Sequence, residues 1–140
     1  MADLKRLLIK YPKILLMEDW RFNVGVDDSF HPDDREGNRS YTFATCNVLW
    51  EYKDISMTFY RPACAKLDYD DLEETFVHEC IHGILNEMRE DKKNSRKHEE
   101  RVVTTFTSII MRLIRARDEI KKRAKGLAEK RTGGKDKLSE

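Results

Sequence analysis

The sequence predicts an α+β domain, a small antiparallel sheet of about three strands with helices packed on one face. Three observations point there. Residues 20–60 hold segments that alternate in polarity or are dense in β-branched and aromatic residues. Residues 70–88 and 98–127 carry apolar residues at helical spacing. Turn-forming Asp, Pro, Gly and Asn separate the first of these segments from the rest.

In chain order, Asp3 can cap a first helix whose apolar positions are Leu4, Leu7, Leu8 and Tyr11. Pro12 either kinks it or opens a second turn through Ile14-Leu-Leu-Met17. Trp20 to Val26 alternates strictly, the mark of a half-buried strand, and Asp27 to Arg39 is turn material. Tyr41–Trp50 and Ile55–Tyr60 read as the two strands of a hairpin, broken near Glu51–Asp54. Arg61-Pro62 ends the second strand, because proline cannot donate to the ladder.

The next helix is predicted to start at Asp70 as N-cap, with Glu73 completing a capping box. Val77, Cys80, Ile81, Ile84 and Met88 form its apolar stripe, while His78, Glu79, His82, Asn86 and Arg89 fall on the other side. Asp91 to Lys97 is a charged link. A long helix then runs from about His98 to Leu127, with its stripe on Val102, Val103, Phe106, Ile109, Ile110, Leu113 and Ile120. Residues 1–128 are expected to form one domain, and residues 129–140, with Gly133-Gly134, a basic disordered tail.

With 140 residues the chain is large enough to bury a core. It is 38% charged, yet its 39% of hydrophobic residues are ordered into stripes, which argues for a folded protein. No apolar run is long enough to span a membrane, and charges interrupt the N-terminus where a signal peptide needs an unbroken apolar stretch. Cys46, Cys64 and Cys80 are widely spaced, with no Cys-x-x-Cys pair. That excludes a zinc ribbon and a disulfide framework, and a reducing cytoplasm fits best. Residues 115–140 hold ten Lys/Arg against five Asp/Glu, so this end is net +5 and the remainder −4. A basic tail can contact nucleic acid, although interleaved opposite charges read first as a solvated helix end.

The chemistry concentrates at His78-Glu79-Cys80-Ile81-His82. Four residues apart on a helix, His78 and His82 can aim both imidazoles at one point, at the distance of about 2.0–2.1 Å that Zn²⁺ requires. Glu79, rotated by roughly 100°, is poorly placed as a third ligand but near enough to act as general base on a water at the metal. Cys80 lies on the apolar stripe and reads as packing. Gly83 either admits a close neighbour or is simply tolerated in the helix. A catalytic site needs a third protein ligand, and the candidates cluster at His98-Glu99-Glu100. By helical rotation Glu99 lies nearer the centre of the stripe of its helix and Glu100 on the margin, where a ligand facing two marginal histidines belongs.

His-Glu-x-x-His followed by a glutamate on the next helix resembles the gluzincin zinc metallopeptidases, in particular minimal gluzincins and the ImmA/IrrE family. The likeness is best from Leu72 to Leu113 and order-preserving from Trp20 onward. SprT-like proteases are a neighbouring resemblance whose Cys-rich zinc module is missing. In those families the ligand glutamate is followed by small, polar and apolar residues at set intervals. Glu100 matches with Val103, Thr104, Phe106 and Thr107; Glu99 matches less well and stands as the alternate, with His98 a third candidate. The resemblance puts Thr104 where a side chain can hold a ligand histidine's other nitrogen, although related chains use Asp, Asn or Glu there.

The activity this resemblance implies is zinc-dependent hydrolysis of protein or peptide substrates. His78, His82 and Glu100 are the expected metal ligands and Glu79 the base, with Tyr60, Tyr69 or Arg89 as oxyanion donor. The resemblance further implies an extended substrate added to the edge strand of the hairpin. Two alternatives are a zincin-fold regulatory or binding protein with little turnover, which an intact Glu79 disfavours, and a nucleic-acid-associated protein using the basic C-terminal segment. No membrane partner is expected, and the oligomeric state is open.

Overall fold

A computed structural model describes residues 2–34, 41–85 and 96–132, with side chains over 99–127 of the last stretch. The elements are α1 (Ala2–Ile14), β1 (Arg21–Asp27), β2 (Ala44–Leu49), β3 (Asp54–Tyr60), a short α2 (Arg61–Cys64), α3 (Tyr69–Leu85) and α4 (Arg96–Thr132), with a 3₁₀ turn at Trp50–Tyr52. The chain divides into two compact units, residues 1–107 and 108–140.

In the first unit, α1 runs through Pro12 and ends at Ile14, and Leu16 two residues on takes the left-handed backbone (φ 56°) that closes the helix. The Met17 amide then donates to the Pro12 carbonyl at 2.7 Å, a Schellman-type end. No second helix opens there; Met17 drops into the core instead.

The sheet corrects the predicted topology. Its strand order is β1-β3-β2, and β1 pairs parallel to β3 with Val24 opposite Met57. β2 and β3 form the expected antiparallel hairpin, Cys46 opposite Met57. Alternation in Trp20–Val26 encodes a half-buried strand and says nothing of its direction. The long connection from β1 lets β2 take the far side of β3, so β1 meets β3 running the same way. Among the described residues, β2 therefore has one strand neighbour and an open edge.

Central β3 turns Ile55, Met57 and Phe59 inward, all essentially fully buried. Phe76 of α3 stacks on Phe59 with ring centres 6.2 Å apart, and Tyr11 of α1 lies 6.1 Å from Phe76 on the other side. Lys10 reaches from α1 to the buried Glu73 of α3 at 2.8 Å. Glu73 is thus an ion-pair partner. The α3 cap is Asp68, whose carboxylate accepts from the Asp71 amide at 2.9 Å, two residues before the predicted Asp70.

α3 buries Val77, Cys80 and Ile81 as its stripe predicts, whereas Ile84 is 40% exposed; Met88, Asn86 and Arg89 lie outside the described residues. Gly83 has a specific reason to be glycine. A Cβ there would sit 3.0 Å from Ile55 Cδ1 and 3.5 Å from Met17 Cε, so the helix lies directly on the central strand.

The stripe predicted for α4 is corrected. In its first turns Val103 and Thr107 are the buried pair, while Phe106 is 48% exposed. Glu99 and Glu100 face the histidines, which fixes the rotation of the helix, and the apolar row through Phe106 is then carried off to the side. In the second unit, residues 108–132 continue the helix. Met111 and Ile114 are buried there, and Ile109, Leu113 and Ile120 of the predicted stripe are exposed. Most of the charged link and the whole Gly133-Gly134 tail lie outside the described residues.

Candidate metal centre

α3 and the first turns of α4 meet at the residues with ligand chemistry. Nε2 of His82 lies 3.2 Å from Nε2 of His78. Oε1 of Glu100 lies 3.3 Å from the His82 Nε2, and its Oε2 lies 3.5 Å from the His78 Nε2. Each carboxylate oxygen of Glu100 thus faces one of the two imidazole nitrogens, and the three groups form a compact triangle with ligand atoms within 4.8 Å of one another. A tetrahedral zinc about 2.0–2.1 Å from each of its donors requires them about 3.3 Å apart, so the residues present fit the ion. His78, His82 and Glu100 form the one group of three His, Cys, Asp or Glu side chains among the described residues that can hold a metal. Glu100 is a member and Glu99 is not.

Glu99 does something else. Its Oε1 lies 2.9 Å from Nδ1 of His82, the nitrogen on the far side of the ring from the triangle. A carboxylate only accepts, so this contact favours the tautomer with the proton on Nδ1, which is the one that leaves the Nε2 lone pair to a metal. This is the place against a ligand histidine that the family resemblance gave to Thr104. No hydrogen bond joins Thr104 to either histidine among the described residues, although Thr104 lines the same cavity. The side chain of His98 lies outside the described residues.

Burial is uneven around the triangle. His82 is 5% exposed, His78 half-buried, and Glu100 exposed toward solvent. Burial first, and then the neighbouring His82 imidazole, hold the His78 imidazole below its usual pKa, with Glu100 pulling the other way. A neutral imidazole is the form that binds metal.

The triangle opens into a cavity of about 450 Å³, lined on the helix side by His78, Glu79, His82, Glu100 and Thr104 and on the sheet side by residues 41–46. Glu79 is buried, at 6% exposed, and faces this cavity beside the histidines. The sheet side is the open edge of β2 and the segment leading into it. Asp34 positions that segment: its carboxylate accepts from the Thr42 amide at 2.9 Å and from the Thr42 hydroxyl at 3.1 Å. Lys66 lies over the Tyr41 ring, 4.7 Å from its centre. Thr107 closes the cavity floor, buried, with a hydroxyl that no described group satisfies.

The expected oxyanion donors are elsewhere. Tyr60 is within 3.3 Å of the Thr45 hydroxyl and Tyr69 sits at the start of α3 under Arg6; neither lines the cavity, and Arg89 lies outside the described residues. Tyr41 is the cavity-lining tyrosine among the described residues. Sequence reasoning missed it because nothing in the local pattern says which end of a strand faces a helix from another part of the chain. Cys46, Cys64 and Cys80 are all free thiols, and none belongs to the triangle.

No family model, no curated protein and no solved structure matches the chain, and the site stands on its own geometry. No helix among the described residues is long and apolar enough to cross a membrane.

Proposed function

We propose that this chain is a zinc-dependent peptidase of gluzincin type. The observation that carries the reading is the triangle of His78, His82 and Glu100 atoms at the end of a cavity that also receives the buried carboxylate of Glu79. Two imidazoles and a carboxylate are a donor set that suits zinc. The ion, when bound, would acidify a water and polarise a carbonyl. His78, His82 and Glu100 would hold it, and Glu99 would keep the His82 ring in the ligating tautomer.

Glu79 supplies the proton traffic. It takes a proton from the water as that oxygen bonds to the carbonyl carbon, and delivers one to the amide nitrogen as the C–N bond breaks. A site that held zinc for structure alone would have no use for this carboxylate. The open edge of β2 supports an extended peptide as substrate. Among the described residues β2 is an edge strand, and one more strand can be laid beside it along the cavity between the sheet and α3. Among the hydroxyl side chains lining the cavity, Tyr41 is assigned to the developing oxyanion in this reading.

The test is cleavage of an unfolded protein such as casein by the zinc-loaded chain, with chelated protein and the Glu79→Gln variant as controls. The expected result is turnover that vanishes on chelation and falls by about 10²–10⁴-fold in Glu79→Gln while zinc content stays near one per chain. Equal turnover by the variant would end the mechanism. Tight zinc binding with no turnover on any peptide would leave a metal-binding regulatory protein.

A further inference from the structure

The second unit carries an apolar pattern that its own burial leaves unused. Ile109, Leu113, Ala116 and Ile120 follow one another at intervals of four, three and four residues, and Leu127 continues the row. That alternation is a heptad seam, a narrow straight stripe along one side of a helix. Ile109 is 49% exposed, Leu113 65%, Ile120 67% and Leu127 64%. Scattered exposed aliphatics need no explanation, but a row of four in heptad register in a helix this rich in charge does. The lysines Lys121, Lys122 and Lys125 all stand off the seam, leaving Arg123 as the charged residue within it.

We propose that this seam is an antiparallel interface between two copies of the chain. Set antiparallel about the point between residues 114 and 115, Leu113 meets Ala116 of the second copy, a large side chain against a small one. Ile109 then meets Ile120. Arg112 and Glu119 stand on one flank of the seam, each one residue before a seam position, and antiparallel packing sets that flank against the same flank of the second copy. Arg112 comes beside Glu119 of the second copy, and the two-fold axis makes the pair twice. Glu119 already holds Arg123 of its own helix at 3.1 Å, and its carboxylate has room for a second guanidinium. Ile110 falls against the stem of Arg117, whose guanidinium is held by Asp118 at 2.9 Å.

The parallel arrangement fails on the same residues. It would place Arg112 against Arg117 of the second copy and Glu119 against Ala124, exchanging an attraction for a repulsion. One register that satisfies both apolar layers and the repeated Arg112–Glu119 pair is self-complementarity, which a helix shaped for an unrelated partner does not require. The proposal is independent of what the metal centre does.

Sedimentation velocity of the full chain over a concentration series tests it, with circular dichroism to confirm that each variant is folded. A reversible dimer is expected, abolished by Leu113→Asp. Arg112→Glu weakens the dimer by about three- to tenfold, and Arg112→Glu combined with Glu119→Arg restores it. Zinc content is unchanged in all three. A wild-type chain that stays monomeric throughout overturns the proposal, as does a dimer indifferent to Leu113→Asp. A charge reversal that the double variant fails to repair overturns the antiparallel pairing.

Discussion

The carboxylate of Glu99 lies 2.9 Å from Nδ1 of His82, and Nε2 of the same ring lies 3.3 Å from the carboxylate of Glu100. Two adjacent glutamates thus serve opposite sides of one imidazole. Neighbouring residues on a helix diverge by about 100°, enough for their side chains to approach a ring from different directions. Which of the two faces the other histidine decides their roles.

Replacing these glutamates should therefore have different consequences. Glu100→Ala removes a donor atom, and the purified variant should lose most of its zinc. Glu99→Ala leaves all three donors in place and should still bind one zinc per chain, about 10–100-fold more weakly, because the His82 ring is no longer held in its tautomer. Competition with a chelating indicator separates the two. Equal zinc loss in both variants would make Glu99 a ligand.

Gly83 should tolerate a methyl group and little more. Gly83→Ala gains about 1 kcal/mol of helix propensity, offset by a contact of 3.0 Å with the buried Ile55 side chain, for little net change. Gly83→Leu must push α3 off β3 and should destabilise the fold by about 1–3 kcal/mol. Urea denaturation measures both, and the zinc affinity of Gly83→Leu should fall with it, since His82 is the preceding residue.

The contact between Lys10 and Glu73 is worth testing because only one side of it is buried. The Glu73 side chain is 9% exposed and the Lys10 side chain 35%. Lys10→Ala leaves a carboxylate in the core without its ammonium partner and should cost about 1–3 kcal/mol. Pairing it with Glu73→Leu should recover much of that loss. Thermal melts of the two variants would show the order.

Cys80 should be the slowest of the three thiols to alkylate. It is fully buried, and burial, reinforced by the charge of Glu79, pushes its thiol pKa far up. The reactive thiolate is then scarce at neutral pH. Labelling with iodoacetamide followed by peptide mass mapping should find Cys46 and Cys64 modified in the native protein and Cys80 only in urea.

How much could be read in advance depends on how local each feature is. The His78/His82 pair, the strand break at Arg61-Pro62 and the hairpin were legible because turn chemistry and a four-residue helical spacing are written into neighbouring residues. The direction of β1 was not legible, because alternation looks the same in either sense. The rotation of α4 was not either. Its most apolar row suggested an inward face, but the buried row is set by where Glu99 and Glu100 meet α3. Asp68 escaped notice because Asp70 and Asp71 beside it are equally good caps.

The three donor groups and the buried carboxylate all come from helices, whereas the far wall of the cavity is strand edge and the loop before it. The candidate donor atoms and the opposing cavity wall thereby belong to separate parts of the chain. In the proposed peptidase, substitutions at Thr42, Thr45 or Cys46 would alter which peptides are accepted while the His78, His82 and Glu100 group keeps its spacing. Under that proposal, such a layout would let a small catalyst change its diet by drift along one strand, without passing through inactive intermediates.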